Sequence, residues 1–347
     1  DYTDSSCPAL LLEPQRTNVV TNSEYVGGMS LQNISATANA TTSPEGVGNA
    51  YKVEPTGTGF KTIGNFVSVT ANLTYTISFF YKNVDHKNIG FYDNNTSGSE
   101  IQINVQDNTF TLGSNVINGN VEDYGNGWYR AYATFAASSG TLANYLIFRS
   151  DSNSGSYTAT GSSIYVYGFQ IEAGSYATSY IPTYGTSVTR NADAALKTGI
   201  SSLIGQSEGV IYNKINFSNT SGIAGAWSIS TGSTANRITM NTIGVNATHF
   251  TLSIAQNYNS GSTKLLSANV TYGANHKVAI KYSSTTMKLF IDGQLSGSVS
   301  TDGFGNYANF YIGANQTGVG GETRNFKESI LFPTALTDQE AIDLTTI

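Results

Sequence analysis

The sequence predicts an all-β chain folded as two tandem β-sandwiches of jelly-roll type, closed by one short C-terminal helix. Three observations carry this. Apolar and polar residues alternate with period two in run after run from about residue 50. Turn residues punctuate the runs at short, regular spacing. Only 12% of the 347 residues are charged, while the chain holds 36 Gly, 22 Tyr and 16 Phe beside abundant Thr, Ser and Asn. Helical proteins are richer in Glu, Lys, Ala and Leu, whereas strands favour β-branched and aromatic side chains. At roughly 150 residues per domain the length suggests about two domains.

Taken in order, residues 1–24 read as an extended N-terminal segment and 25–189 as the first sandwich. In the latter, Leu73, Tyr75, Ile77, Phe79 and Tyr81 share one face, with Thr74, Thr76 and Ser78 between them, which predicts a half-buried strand. Ile101–Val105, Trp128–Phe135, Tyr145–Arg149 and Ile164–Ile171 repeat the pattern, separated by turn residues such as Asn94, Gly98, Asn126 and Gly140. The alternation stops after Ile171, and Glu172–Ala195 reads as a linker that partly packs on its neighbours. The second sandwich, 190–347, opens with a strand at Gly209 and continues through Ala226–Ser230, Arg237–Asn241, Phe250–Ala255, His276–Tyr282 and Met287–Ile291. Asp292-Gly293 then predicts a tight hairpin, because both central residues of a type I′ turn need positive φ. Thr337-Asp338-Gln339-Glu340 has the spacing of a capping box and predicts the closing helix.

Composition excludes several classes of function. The net charge is −6 and the 17 Lys and Arg are scattered, so no basic face is available to neutralise nucleic acid. No apolar run is long enough for a membrane-spanning helix. One cysteine, Cys7, allows neither an intrachain disulfide framework nor a Cys-based zinc site, and it reads as an inert thiol. No cofactor motif is present. Glycoside hydrolysis needs two carboxylates about 5–10 Å apart. No strand carries acids at i and i+2, so that pairing would have to come from distant residues such as Asp93 and Asp151. The three His are isolated, no Gly-x-Ser-x-Gly elbow accompanies them, and His276 reads as a satisfied polar residue at a strand edge. A structural calcium ion would have its oxygens near Asp302, Asn306 or the Asp93 loop, although one Asp among Gly and Asn is equally an ordinary turn.

Three stretches resemble segments of tailed-phage virion proteins of the tail-fibre and adhesin-like kind. They are Leu10-Leu11-Leu12-Glu13-Pro14-Gln15-Arg16-Thr17-Asn18 followed by Ser23-Glu24, then Gly125-Asn126-Gly127-Trp128-Tyr129-Arg130, and Gly168 through Thr183 followed by Val188-Thr189-Arg190-Asn191-Ala192-Asp193. The second and third are similar to parts of those proteins' carbohydrate-binding-module-like domain. In the second half, Gly205-Gln206-Ser207-Glu208-Gly209, Leu289-Phe290-Ile291-Asp292-Gly293 and Phe332 through Glu340 resemble a concanavalin A-like or laminin-G-like sandwich. The resemblance implies a virion protein whose partners are other virion proteins and host-surface or environmental glycans. In that family the first motif commonly follows further upstream sequence, so Asp1 is not expected to be a native start.

A sandwich binds sugars with aromatic faces against the rings and planar polar side chains against the hydroxyls. Tyr92, Asp93 and Asn95 lie at one strand-to-loop transition, Arg149, Asp151 and Asn153 at another, and Trp227, Asn257 and Tyr258 form a comparable set in the second half. Each such aromatic can equally be core. The expected function is non-catalytic glycan attachment in a virion, with multivalency favouring a homo-oligomer such as a trimer. A purely structural capsid-decoration or fibre element and a polysaccharide-degrading tail enzyme are the alternatives.

Overall fold

The structure is a computed structural model that describes residues 10–217, 223–245, 248–259, 261–314 and 324–347. Cys7 lies outside the described residues. The chain forms two compact units, one of Arg16–Arg190 and the other of residues 1–15 with Asn191–Ile347. Among the described residues every strand pairing in the two sandwiches is antiparallel. Among the described residues no helix is long and apolar enough to cross a membrane.

In the Arg16–Arg190 unit, one six-stranded sheet runs in the order Thr109–Leu112, Ile101–Asn104, Asn88–Asp93, Thr141–Arg149, Thr62–Ser68 and Ser30–Gln32. The facing sheet runs Asn118–Asp123, Tyr129–Ala136, Thr74–Asn83, Ile164–Ala173, Ala50–Pro55 and Ile34–Thr41. Alternate side chains of both sheets meet in one core. Its centre is Phe79, with ring centroids 4.7 Å from Phe91 and 5.6 Å from Phe169. The edge strand Ile34–Thr41 escapes sequence reading because the apolar positions of ISATANAT are one Ile and three Ala, too small to mark a buried face, and the strand lies largely in solvent.

The Thr74–Asn83 strand differs from the half-buried strand predicted. Its second face is also buried: Thr76, Ser78 and Phe80 are at most 3% exposed. The cause is the 174–184 segment, which lies across the outside of that sheet. Glu172 accepts hydrogen bonds from the Thr178 backbone (2.8 Å) and hydroxyl (2.6 Å) and from Gln170 (2.8 Å). Asn18, fully buried, donates to the carbonyls of Phe169 and Ile181 and accepts from the amides of Val20 and Ile171. The segment read as a linker is therefore a strap bound to its own sheet.

The second unit pairs a sheet ordered Leu10–Leu12, Arg324–Phe332, Gly209–Phe217, Asn275–Tyr282, Thr286–Ile291 and Gln294–Ser300 with one ordered Ala195–Lys197, Asn309–Ile312, Ile223–Ser230, Arg237–Gly244, His249–Asn257 and Lys264–Thr271. The opening segment 1–24 is thus divided. Leu10–Leu12 completes this unit's sheet against Arg324–Phe332, with Leu12 in its core, whereas Arg16–Asn18 pairs with Val188–Arg190 in the other unit. Asp292 and Gly293 take φ of 48° and 79° at the hairpin, as its type I′ geometry requires.

The closing helix is Asp338–Thr345, begun by the reciprocal Thr337–Glu340 capping box. It covers the outer face of the first sheet, where Ala341 packs with Val210, Tyr212, Ala279 and Phe290. Asp338 ties it down by accepting from Lys281 at 2.7 Å and Lys288 at 2.5 Å. Those two contacts hold its carboxyl below the usual carboxylate range, Lys281 contributing most. A depressed folded value means the clamp is complete above the ordinary Asp pKa of about 3.9 and is lost as pH falls through the lower folded value. An NMR titration of the Asp338 carboxyl carbon should give a midpoint below that ordinary value, returning to it in a Lys281→Ala/Lys288→Ala variant. Equal midpoints in the two proteins would show that the lysines do not hold it.

Candidate functional site

Strand parity decides what the first unit presents to solvent. Leu142, Leu146 and Phe148 face the core, so Tyr145 and Arg149 on the same strand point away from it. Ile89 and Phe91 face inward, which turns Asn88, Gly90 and Tyr92 outward. Ile101 and Ile103 do the same for Glu100, Gln102 and Asn104. Register then aligns Gly64, Tyr145 and Tyr92 across three strands. Phe66, 57% exposed, stands edge-on to Tyr145 at 5.7 Å, and Tyr145 lies 6.0 Å from Tyr92 with the rings 34° apart. These three rings form an aromatic row on the open face.

Beside the row the polar side chains close into a ring of hydrogen bonds. Arg149 Nη2 donates to Glu100 Oε1 at 2.6 Å, and Gln102 Nε2 donates to Glu100 Oε2 at 2.9 Å. Asn153 Nδ2 donates to Gln102 Oε1 at 3.0 Å, and Arg149 Nη1 donates to the Asn153 carbonyl at 3.3 Å. Each member fixes the next, so the ring is held in place before any ligand arrives. The Tyr92 hydroxyl is pushed up by burial first and by Glu100 next, with Arg149 opposing, and it stays a neutral donor and acceptor at ordinary pH.

Two strand glycines make room for these groups. A Cβ on Gly90 would lie 2.0 Å from Glu100 Oε1 and 3.0 Å from the Ile147 side chain. One on Gly64 would lie 2.8 Å from the Tyr145 ring. Glycine inside a strand usually weakens it and marks close approach of another group. Here it lets a carboxylate and a ring lie on the sheet. On the far side of the polar ring is a groove of about 440 Å³ bordered by Lys87, Asn104, Thr109, Thr111 and Asp151. A second hollow of about 320 Å³ opens beyond the 150–153 turn between His86, Asp151, Tyr157 and Ser162. Burial, then Asp151, pushes the Tyr157 hydroxyl up to about 12.

Of the residues singled out from sequence, Tyr92, Arg149 and Asn153 share this face, and Asp151 is exposed at the groove's edge. Asp93 and Asn95 do not join them. Asp93 points inward, 1% exposed, and accepts from the Ala143 amide at 2.7 Å. Asn95 is on the following loop and donates to the Thr141 carbonyl. In the second unit Trp227 is fully buried in the core, so it offers no platform. Asn257 is 9% exposed and engaged with Arg237 and Thr263. The Tyr258 ring lies against Gly303, where a Cβ would come within 2.8 Å of it. Asp302 is paired with Lys264 at 2.9 Å, and Asn306 occupies a left-handed turn with φ of 61°. Among the described residues no three His, Cys, Asp or Glu side chains converge as a metal would require. His276 is 6% exposed at its strand end, with Nδ1 on Asp292 at 2.7 Å and Nε2 on the Thr271 carbonyl at 3.0 Å. With Nε2 engaged by a carbonyl, it is not placed to take a proton from a serine.

Sequence reasoning passed over Tyr145, Phe66, Glu100 and Gln102 as site residues. The available signal was Gly90 inside the run Asn88-Ile89-Gly90-Phe91-Tyr92, where a packed strand has no other use for a glycine.

No protein-family model matches the chain, and no curated protein matches it. Among solved structures, the chain is similar to the CBM40 of the Ruminococcus gnavus IT-sialidase bound to α2,3 sialyllactose. The identity is 19% over 41% of this chain and 84% of that one, with a TM-score of 0.34. The NanB sialidase of Streptococcus pneumoniae is 15% identical over 43% of this chain and 26% of its own, with a TM-score of 0.36. The heptameric SAP-like pentraxin of Limulus polyphemus is 14% identical over 40% of this chain and 69% of its own, with a TM-score of 0.31.

Two substitutions test the burial of Trp227 and the role of Gly90. Trp227→Ala should lower the unfolding free energy by about 3–5 kcal/mol in chemical denaturation; unchanged stability would show that the indole is not a core member. A crystal structure of Gly90→Ala should show the Glu100 carboxylate turned off the sheet and its contact with Arg149 broken. A carboxylate still in place would mean the glycine is not what admits it.

Proposed function

We propose that the Arg16–Arg190 unit binds carbohydrate on its open sheet face and that the chain is a non-catalytic attachment module. The observation that carries this reading is the aromatic row Phe66–Tyr145–Tyr92 running directly into the fixed polar ring of Glu100, Gln102, Asn153 and Arg149. Ring faces take the apolar side of a sugar, and planar amide, carboxylate and guanidinium groups take its hydroxyls. Side chains already locked together lose little freedom on binding, which favours affinity. The sequence resemblance to tail-fibre and adhesin-like virion proteins supplies the setting: a virion protein that holds host-surface or environmental glycans, with several copies acting together in a homo-oligomer.

A degradative reading finds less support. Glu24 and Glu45 both lie near the Tyr167 and Tyr180 hydroxyls, but Glu24 accepts from Tyr184 at 3.0 Å and Asn49 at 3.1 Å, and Glu45 accepts from Tyr167 at 2.7 Å. Both act as fixed acceptors for neighbouring hydroxyl and amide groups.

A glycan array followed by calorimetry on the best ligand tests the proposal. Tyr145→Ala removes the middle ring of the row and should weaken binding at least tenfold, a loss of about 1.4 kcal/mol or more, with the melting temperature little changed. Binding that survives in the variant, or an array silent for the intact oligomer, would overturn it.

A further inference from the structure

We infer that this face takes a linear run of several neutral sugar residues, held along its length and not by its end; the inference rests on the carbohydrate reading of the same site. Three features carry it, beginning with extent. The aromatic row, the polar ring and the groove succeed one another across five neighbouring strands, from Thr62–Ser68 through Thr141–Arg149, Asn88–Asp93 and Ile101–Asn104 to Thr109–Leu112. Four strand spacings span roughly 19 Å, far more than one six-membered ring covers.

The second feature is that neither end of the track is walled. Phe66 is 57% exposed at one end, and Thr109 and Thr111 at the other lie on an exposed edge strand. A site built for a terminal residue would enclose it, whereas this one lets a chain pass beyond both ends.

Charge is the third. Arg149 faces Glu100, and Lys87 shares the groove with Asp151. Both terminal nitrogens of Arg149 already donate, to Glu100 and to the Asn153 carbonyl, and its Nε is buried without a partner. Two of its five N–H donors are thus committed and its charge is already matched by Glu100, so an incoming carboxylate would have to compete with that pair. An acidic sugar would meet Glu100 and Asp151, and the groove's lysine, Lys87, already has the Asp107 carboxylate near it, while neutral hydroxyls suit Gln102, Asn153, Asn88 and the threonines.

Calorimetry with ladders of neutral oligosaccharides (cello-, malto-, manno- and xylo-, from one to six residues) and an oligogalacturonate ladder tests this on the full chain. At least one neutral ladder should gain roughly tenfold or more in affinity between the disaccharide and the tetrasaccharide, then level off, with little change between low and high salt. Thr111→Arg places a long side chain in the groove and should abolish that gain with length. Equal affinity for a monosaccharide and its longer homologues would overturn the extended track and leave the carbohydrate reading standing. Preferred, salt-sensitive binding of the galacturonate ladder would overturn neutrality. Silence in every ladder and on a broad glycan array would overturn the carbohydrate reading along with the inference.

Discussion

Two buried polar side chains, Asn18 and Glu172, set the character of the first sandwich. A sheet with two faces must bury one in the core and either solvate or cover the other. Here the 174–184 strap covers it, and the strap's own backbone groups are answered by those two residues. Buried polar groups of this kind are costly when half satisfied and rigid when fully satisfied. Asn18 makes four hydrogen bonds and Glu172 at least three, so the strap is held firmly and Arg130 can be buried beneath it, donating to the Thr178 carbonyl. With that face closed by the chain itself, the facing sheet is the one left to present side chains outward.

What that open sheet presents follows from subtraction as much as addition. Gly64 and Gly90 each give up the packing and stiffness a larger residue would add to a strand. In return the Tyr145 ring and the Glu100 carboxylate lie flat, and Arg149 reaches diagonally to Glu100. The hydrogen-bonded ring that results has no long side chain left to find its place during binding. That is the physical basis for reading a shallow, open surface as a recognition surface.

The second sandwich uses similar residue types for different ends. Trp227 fills its centre, His276 and Asp292 lock a strand end to the hairpin, and Lys281 and Lys288 hold the closing helix through Asp338. These aromatic and charged groups are engaged in architecture. The first unit instead leaves Phe66, Tyr145 and Tyr92 partly free. The same composition therefore yields a packed body in one unit and a proposed binding surface in the other.

Periodicity and turn chemistry, both local properties, were enough to specify most core strands, the Asp292-Gly293 hairpin, the capping box at Thr337 and the all-β class, because each is written in residues a few positions apart. Tyr92, Arg149 and Asn153 could be named as polar or aromatic residues near strand ends, but their companions could not. Glu100 is 49 positions from Arg149 and Phe66 is 79 from Tyr145, and only pairing register brings them together. The same register turned Asp93 inward, and burial removed Trp227 and Asn257 from the surface. A single sequence fixes which residues alternate; which side of a sheet meets the core, and which far-off strand lies alongside, is settled only when the sheets close over one another and hydrophobic burial chooses the inward face.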